Sequence, residues 1–322
     1  MIEEMIERLK KENTTIVFPE AMDERVLRAA VRLKSEQILN PILLGNELEV
    51  RKFAEQLHLM IGDIEIIDPA TFEFKEEYIN KMVELRKGKM DYAACKAALS
   101  KTNYFGTMLV KMGKADGLVG GATYSTADTV RPALQLVKTK PGSKIVSSCF
   151  ILVKDNQKLA MSDCAININP TEEDLVEIAI ESAKTARMFG VEPIVAMLSY
   201  SSNGSGKGEA VDKVKNATNM LKDMNLDFPV EGELQFDAAI SPVVAKTKIP
   251  ESEIAGNCNT FIFPNIEAGN IGYKIAQRLG GYEAVGPILQ GLNAPINDLS
   301  RGCNSEEVYK LAIITAAQKY IN

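Results

Sequence analysis

Apolar positions along the chain change period in a repeating way. Residues Thr14-Thr15-Ile16-Val17-Phe18-Pro19-Glu20 form a short β-branched run closed by a proline, and after Asp23 the residues Val26, Leu27, Ala30, Val31 and Leu33 recur at helical spacing. The same unit returns as a strand over 40–45, a helix over 47–57, a strand over 63–67 and a helix over 78–87. Residues 92–112 read as helical, with Gly106 as an interruption. Next, an apolar strand over 115–120 runs into Gly120-Gly121, then into hydroxyl residues and a helix that Ser125 or Thr126 is placed to cap. Alternation of this kind predicts an α/β chain with a largely parallel sheet and helices on both faces.

The pattern breaks at Lys138-Thr139-Lys140-Pro141-Gly142-Ser143, the first candidate domain boundary. Beyond it, 144–153 and 157–168 read as strands of a hairpin turning at Lys154-Asp155-Asn156. A long helix follows over 172–189, with Pro170 in its first turn. A buried strand over 193–198 leads into the Ser/Gly loop 199–208 and a helix from Glu209. A strand over 257–263 delivers Asn265 and Glu267 to a loop before a helix over 271–279. A last strand falls at 285–289, a polar loop at 297–303 and a closing helix at 308–320.

Composition narrows the functional classes. With 322 residues the chain has room for two domains with substantial cores, and its 46% hydrophobic and 25% charged residues are those of a globular protein. A net charge of −6 argues against nucleic acid or an anionic membrane as the partner, though a local cluster of basic residues still suits a small polyanion. The start, Met1 to Arg8, reads as an acidic amphipathic helix and not as a signal peptide, and no apolar run reaches membrane-spanning length, so a cytoplasmic location is expected. The five cysteines, at 95, 149, 164, 258 and 303, are scattered with no CxxC pair, which speaks against disulfides or a zinc cluster. The single histidine, His58, lies between leucines, so a His-dependent nucleophilic pair is not expected and proton transfer falls to carboxylates, Lys, Tyr or Cys.

Candidate chemistry concentrates near the C-terminus. Asn297-Asp298-Leu299-Ser300-Arg301-Gly302-Cys303, followed by Asn304-Ser305-Glu306-Glu307, sets a hydroxyl, a guanidinium, a thiol and carboxylates on a loop running into a helix N-terminus. That grouping suits an anion: Arg301 offers a bidentate fork, Gly302 permits close approach, and the helix start adds amide donors. The same residues also read as a polar helix start capped by Asn304 or Ser305. The Gly120-Gly121 turn with Ser125, Thr126 and Arg131 is a second phosphate-binding candidate at a strand's carboxyl end. The Ser/Gly loop is not a Walker loop, since position 201 is Ser and position 208 is Gly; its place between strand and helix favours a substrate loop over a surface one. The carboxylates Glu231, Glu233 and Asp237 are read as a polar strand edge in preference to a divalent-metal site.

Three blocks, Asp116-Gly117-Leu118-Val119-Gly120-Gly121 to Arg131-Pro132-Ala133-Leu134, Pro264-Asn265-Ile266-Glu267-Ala268-Gly269-Asn270, and Asn297 to Cys303, stand in an order that resembles the phosphate acetyltransferase (phosphotransacetylase) family, which includes the phosphate butyryltransferases. The segment Gly286 to Leu292 resembles its acetyl-specific branch. The resemblance covers essentially the whole chain. It implies two three-layer α/β/α domains related to isocitrate and isopropylmalate dehydrogenases, residues 1–139 with 294–322 and residues 140–293, with the active site in the interdomain cleft, and a homodimer. It also implies reversible acetyl transfer between acetyl phosphate and coenzyme A by direct thiol attack, with no tightly bound cofactor and no metal. In these terms Glu307 matches the family's acidic base, with Glu306 as fallback; Arg301 binds the phosphate and steadies the acyl oxygen, assisted by Ser300. Cys303 lies near the site, Arg131 and Arg86 meet coenzyme A phosphates, and Ser125 and Thr126 line the substrate. The alternatives are a longer acyl group, as in phosphate butyryltransferase, an NAD-dependent decarboxylating dehydrogenase of related fold, against which the missing dinucleotide fingerprint speaks, and a noncatalytic acyl-phosphate or coenzyme A sensor.

Overall fold

The β-branched run after Thr14 becomes a strand whose Ile16, Val17 and Phe18 are wholly shielded from solvent, as a parallel strand covered on both faces requires. In the computed structural model, which describes residues 2–320, this strand belongs to a first unit made of the chain up to Pro141 together with the chain from Leu292 onward. In order, the first pass through that unit gives α1 (Ile2–Leu9), β1 (Thr15–Phe18), α2 (Glu24–Ser35), β2 (Asn40–Leu44), α3 (Glu47–Gln56), β3 (Glu65–Ile67), α4 (Lys75–Arg86), α5 (Tyr92–Ala98), α6 (Thr102–Lys111), β4 (Gly117–Gly120) and α7 (Thr126–Pro132), the last continued by a π-helical stretch over Ala133–Val137.

A second unit spans Gly142–Gly291. It holds β5 (Ser147–Lys154), β6 (Gln157–Ser162), α8 (Glu172–Met188), β7 (Val195–Leu198), α9 (Glu209–Lys222), β8 (Val230–Leu234), α10 (Phe236–Ile240), α11 (Pro242–Lys248), β9 (Thr260–Ile262), α12 (Ile266–Arg278) and β10 (Glu283–Gln290). The chain then returns to the first unit as β11 (Ile296–Asp298) and α13 (Ser305–Gln318). The first sheet runs β11-β4-β1-β2-β3 with every pairing parallel. The second runs β10-β5-β6-β9-β7-β8; β5 pairs antiparallel with both β10 and β6, and the remaining pairings are parallel.

Several expectations shift. The helical stretch 92–112 does break, but at Leu99–Lys101 and not at Gly106. Gly106 lies inside α6, where a Cβ would meet the side chains of Leu118 and Leu44 at 3.0 and 3.2 Å, so the glycine lets the helix settle on the sheet. Strand β6 stops at Ser162, short of 168, because the buried Asp163 carboxylate takes the amides of Ala165, Ile166 and Asn167 and the hydroxyl of Ser148. Pro170 lies outside α8, whose cap is Thr171. Helix α12 starts at Ile266 and not at 271, since Asn265 caps it by accepting from the Ala268 amide at 2.9 Å. Asn297 and Asp298 are strand residues: β11 pairs with β4 in the register Asp298↔Gly120 and is buried along its length.

Glu231, Glu233 and Asp237 each have separate work. Glu231 takes Lys222 at 2.6 Å, Asp237 takes Lys248 at 2.8 Å, and the buried Glu233 accepts the Ser201 hydroxyl and the Gly204 amide. Among the described residues no helix is long and apolar enough to cross a membrane.

Candidate active site

The carboxyl ends of β1, β4 and β11 lie side by side in the first sheet, so the turns leaving them form one continuous edge. In an open parallel sheet this is the edge on which ligands bind. The turn after β4 is built on Glu20. This residue is only 7% exposed, and its carboxylate accepts the amides of Gly121, Ala122, Thr123 and Tyr124 and the Thr123 hydroxyl. A carboxylate so satisfied holds the turn as a fixed concavity. Gly121 has φ +104° and a Cβ there would lie 2.8 Å from the Leu299 backbone, so β4 and β11 close together only with glycine at this position.

The turn after β11 carries Ser300, Arg301, Gly302 and Cys303. Leu299 N donates to Gly120 O at 2.7 Å, tying this turn to its neighbour, and Cys303 N donates back to Ser300 O at 2.9 Å. Ser300 and Arg301 are exposed. The Arg301 guanidinium has no hydrogen-bond or ion-pair partner among the described residues. Cys303 is 6% exposed, and burial pushes its thiol up, with Glu307 adding to the rise and the Arg25 guanidinium opposing it. Gly302 differs from Gly121, since nothing nearer than the Ser300 hydroxyl, 3.8 Å away, meets a Cβ placed there.

Helix α13 begins with a reciprocal cap: Asn304 Oδ1 accepts from Glu307 N at 2.9 Å and Glu307 Oε2 accepts from Asn304 N at 2.8 Å. Glu306 is turned elsewhere, to Arg32 at 2.6 Å, and that guanidinium lies 3.8 Å over the Tyr309 ring. Ser125 caps α7 in a similar box with Asp128, whose carboxyl is held below the usual range by the Ser125 hydroxyl. Thr126 approaches Asp298 from that helix start. Arg131 is exposed in the last turn of α7, and Arg86 ends α4, half-buried, its Nε shielded and without a hydrogen-bond partner. Ser125, Thr126, Ser300, Arg301, Cys303 and Glu307 therefore gather on adjoining turns. Arg86 sits beside Cys95 of α5 instead, and no hydrogen bond joins it to the Ser300–Cys303 turn among the described residues.

Residues 1–316 match the family model described as "Phosphate acetyl/butaryl transferase". The phosphate acetyltransferase of Bacillus subtilis (strain 168) is 55% identical over 312 residues, 97% of each chain. That of Staphylococcus aureus (strain Mu50 / ATCC 700699) is 53% identical over 316 residues, 97% of this chain and 96% of the other. The chain belongs to the phosphate acetyl/butyryl transferase family. A crystal structure of a phosphotransacetylase from Streptococcus pyogenes superposes with a TM-score of 0.97 at 51% identity, covering 99% of this chain and 98% of that one.

Three further residues shape this transferase-family site, of which the sequence singles out neither Glu20 nor Arg25 and gives Asp298 no role of its own. Glu20 and Arg25 belong to the first strand–helix turn, and neither spacing nor composition signals that their side chains reach residues 101 to 104 and 276 to 278 positions away. Asp298 is 2% exposed, and burial pushes its carboxyl up to about 6, the hydroxyls of Thr126 and Thr129 opposing the rise and the Glu20 charge adding to it. Its Oδ1 makes no hydrogen bond among the described residues. Its signal in the sequence is its membership of the polar 297–303 stretch, where it reads as a loop residue and not as the end of a strand.

Proposed function

We propose that the protein transfers an acetyl group reversibly between acetyl phosphate and coenzyme A, with release of inorganic phosphate, by direct attack of the thiol in a ternary complex. One observation carries this reading: Arg301 presents an unpartnered, exposed guanidinium at the carboxyl edge of a parallel sheet, next to the Ser300 hydroxyl and a helix N-terminus. An acyl phosphate supplies the dianion such a fork fits, and as the thiol adds to the carbonyl the same cation offsets charge growing on the acyl oxygen.

Glu307 is the base. A thiol near its ordinary pKa of roughly 8.5 is mostly protonated at neutral pH and needs an acceptor for its proton. Glu306 is committed to Arg32, whereas Glu307 engages only its Oε2 in the cap and lies close enough to raise the Cys303 thiol. Cys303, with its thiol pushed up by burial, lines the site and takes no acyl group. Arg131 and Arg86 meet the phosphates of coenzyme A, and Ser125 and Thr126 line the approach. The substrates bring every atom the transfer needs, so no resident cofactor takes part.

The protein works in the cytoplasm, where its buried free thiols suit a reducing medium. It acts as a homodimer: Ile271 and Ile275 on α12 and Leu279 at its C-cap form an i, i+4, i+8 stripe, with Leu279 86% exposed, which a second copy would cover.

Thioester formation from coenzyme A with acetyl phosphate and, separately, butyryl phosphate, without metal or NAD, tests the reading. Turnover with acetyl phosphate and little with butyryl phosphate is expected. Preference for the longer acyl group would move the activity to the sister reaction, and no thioester from either would refute acyl transfer.

A further inference from the structure

The Arg25 guanidinium spends every donor it has on this site's framework. Nε donates to Asp23 Oδ1 at 3.0 Å and Nη2 to Asp23 Oδ2 at 2.7 Å, a bidentate pair. The second Nη2 proton goes to Ala122 O at 2.8 Å, and Nη1 reaches Arg301 O at 2.8 Å and Cys303 O at 2.9 Å. An arginine has five N–H donors, and these five acceptors use them all. We infer that Arg25 is the positioning residue that aims Arg301, by clamping the carbonyls on either side of Gly302 to the turn after β4; this rests on the acyl-transfer reading of the site.

The physical case has three parts. First, with no donor left over, Arg25 has none to offer a substrate and acts through the backbone it holds. Second, the clamp has a rigid root, because Asp23 also caps α2 by accepting the Arg25 amide at 2.9 Å. The line of force runs from a helix start, through a carboxylate and a guanidinium, into the exposed turn. Third, those bonds from Nη1 are the only hydrogen bonds to the Arg301 and Cys303 carbonyls among the described residues. Without them the turn keeps its Cys303 N to Ser300 O closure and a weak Gly302 N to Ser300 Oγ contact at 3.3 Å, and the direction of the Arg301 side chain is no longer set. Lysine cannot replace the fork, since its donors radiate from one atom.

The test measures kcat and KM for thioester formation in Arg25→Lys, Arg301→Ala and the double variant. Arg25→Lys is expected to lower kcat by roughly a hundredfold, the cost of misplacing a reacting group by about an ångström. Its KM for coenzyme A should stay within about threefold of the parent value, because coenzyme A phosphates are held elsewhere. The double variant should be no slower than Arg301→Ala alone, since there is then no guanidinium to aim. Asp23→Asn keeps a good helix cap but loosens the clamp, and should lower kcat in the same sense by about tenfold; it stands in if Arg25→Lys does not fold. A parent-like kcat in either clamp variant, or a double variant slowed by the product of the two single losses, overturns the positioning role while leaving acyl transfer intact. No thioester from the unaltered protein sinks both.

Discussion

The two units build the carboxyl edges of their sheets by the same device and leave different residues over. In the first, Glu20 is consumed by four amides and Arg25 by carbonyls and Asp23, and Arg301 remains outward without a partner. In the second, Asp163 folds the turn after β6 and Glu233 the Ser/Gly loop, and the Lys213 ammonium is spent on framework as well. Lys213 donates to Asn169 Oδ1 at 3.0 Å, Pro170 O at 3.0 Å and Pro264 O at 2.9 Å, and burial holds its ammonium below the usual lysine range. A charged side chain in a loop is thus either framework or instrument, and its satisfied hydrogen bonds decide which. The first unit presents the instrument for an anion.

The largest expected effect is at Arg301. Arg301→Ala should lower kcat by about a thousandfold, as losing a preorganised donor does, with the midpoint of thermal unfolding unchanged because the guanidinium holds nothing in the fold. A large fall in that midpoint would erase the distinction between framework and instrument. Next, Glu307→Gln should cost roughly a hundredfold in kcat while Glu306→Gln stays near parent activity. The reverse ranking would make the Arg32-paired carboxylate the base.

Asp298 sharpens the comparison through pH. Its folded pKa of about 6 lies above the ordinary aspartate value, so between about pH 4 and 6 the folded chain binds more protons than the unfolded one and stability falls as pH rises, levelling beyond. The loss is about 3 kcal/mol. Urea unfolding should follow that slope in the parent, and Asp298→Asn should flatten it; an unchanged slope would show that Asp298 is not its source. The smallest effect separates two glycines. Gly302→Ala should change unfolding free energy by less than about 0.5 kcal/mol yet impair turnover, since the space it fills is open in the fold. Gly121→Ala should cost several times more stability, and equal costs would contradict the open setting of Gly302.

Period and capping chemistry were readable in advance. The strands at 15–18, 40–44, 117–120 and 195–198, the helix after Asp23 and a hydroxyl cap at Ser125 or Thr126, which the structure assigns to Ser125, were all legible, because each rests on contacts within a few residues. The polar stretch from Asn297 to Glu307 likewise set Ser300, Arg301 and Glu307 in one grouping. What failed was where a local carboxylate turn or a distant partner overrode the periodic pattern: β6 stops at 162 because Asp163 takes the amides just ahead of it, Gly106 stays helical where α6 packs on Leu118 and Leu44, and Asn297-Asp298 is a strand because β4 lies beside it.

Sequence by itself determined the alternation of strand and helix, the helix starts and the presence of an anion-handling grouping, since side-chain volume, β-branching and cap hydroxyls act over short separations. Only the tertiary structure decided that Glu20 folds the Gly121–Tyr124 turn, that Arg25 is bound to the Ser300–Cys303 turn, that Glu306 is taken by Arg32, and that Arg301 is left free. The reason is physical: whether a charge is spent or available depends on which groups come within about 3 Å of it, and in a parallel sheet neighbouring turns come from strands far apart in the chain.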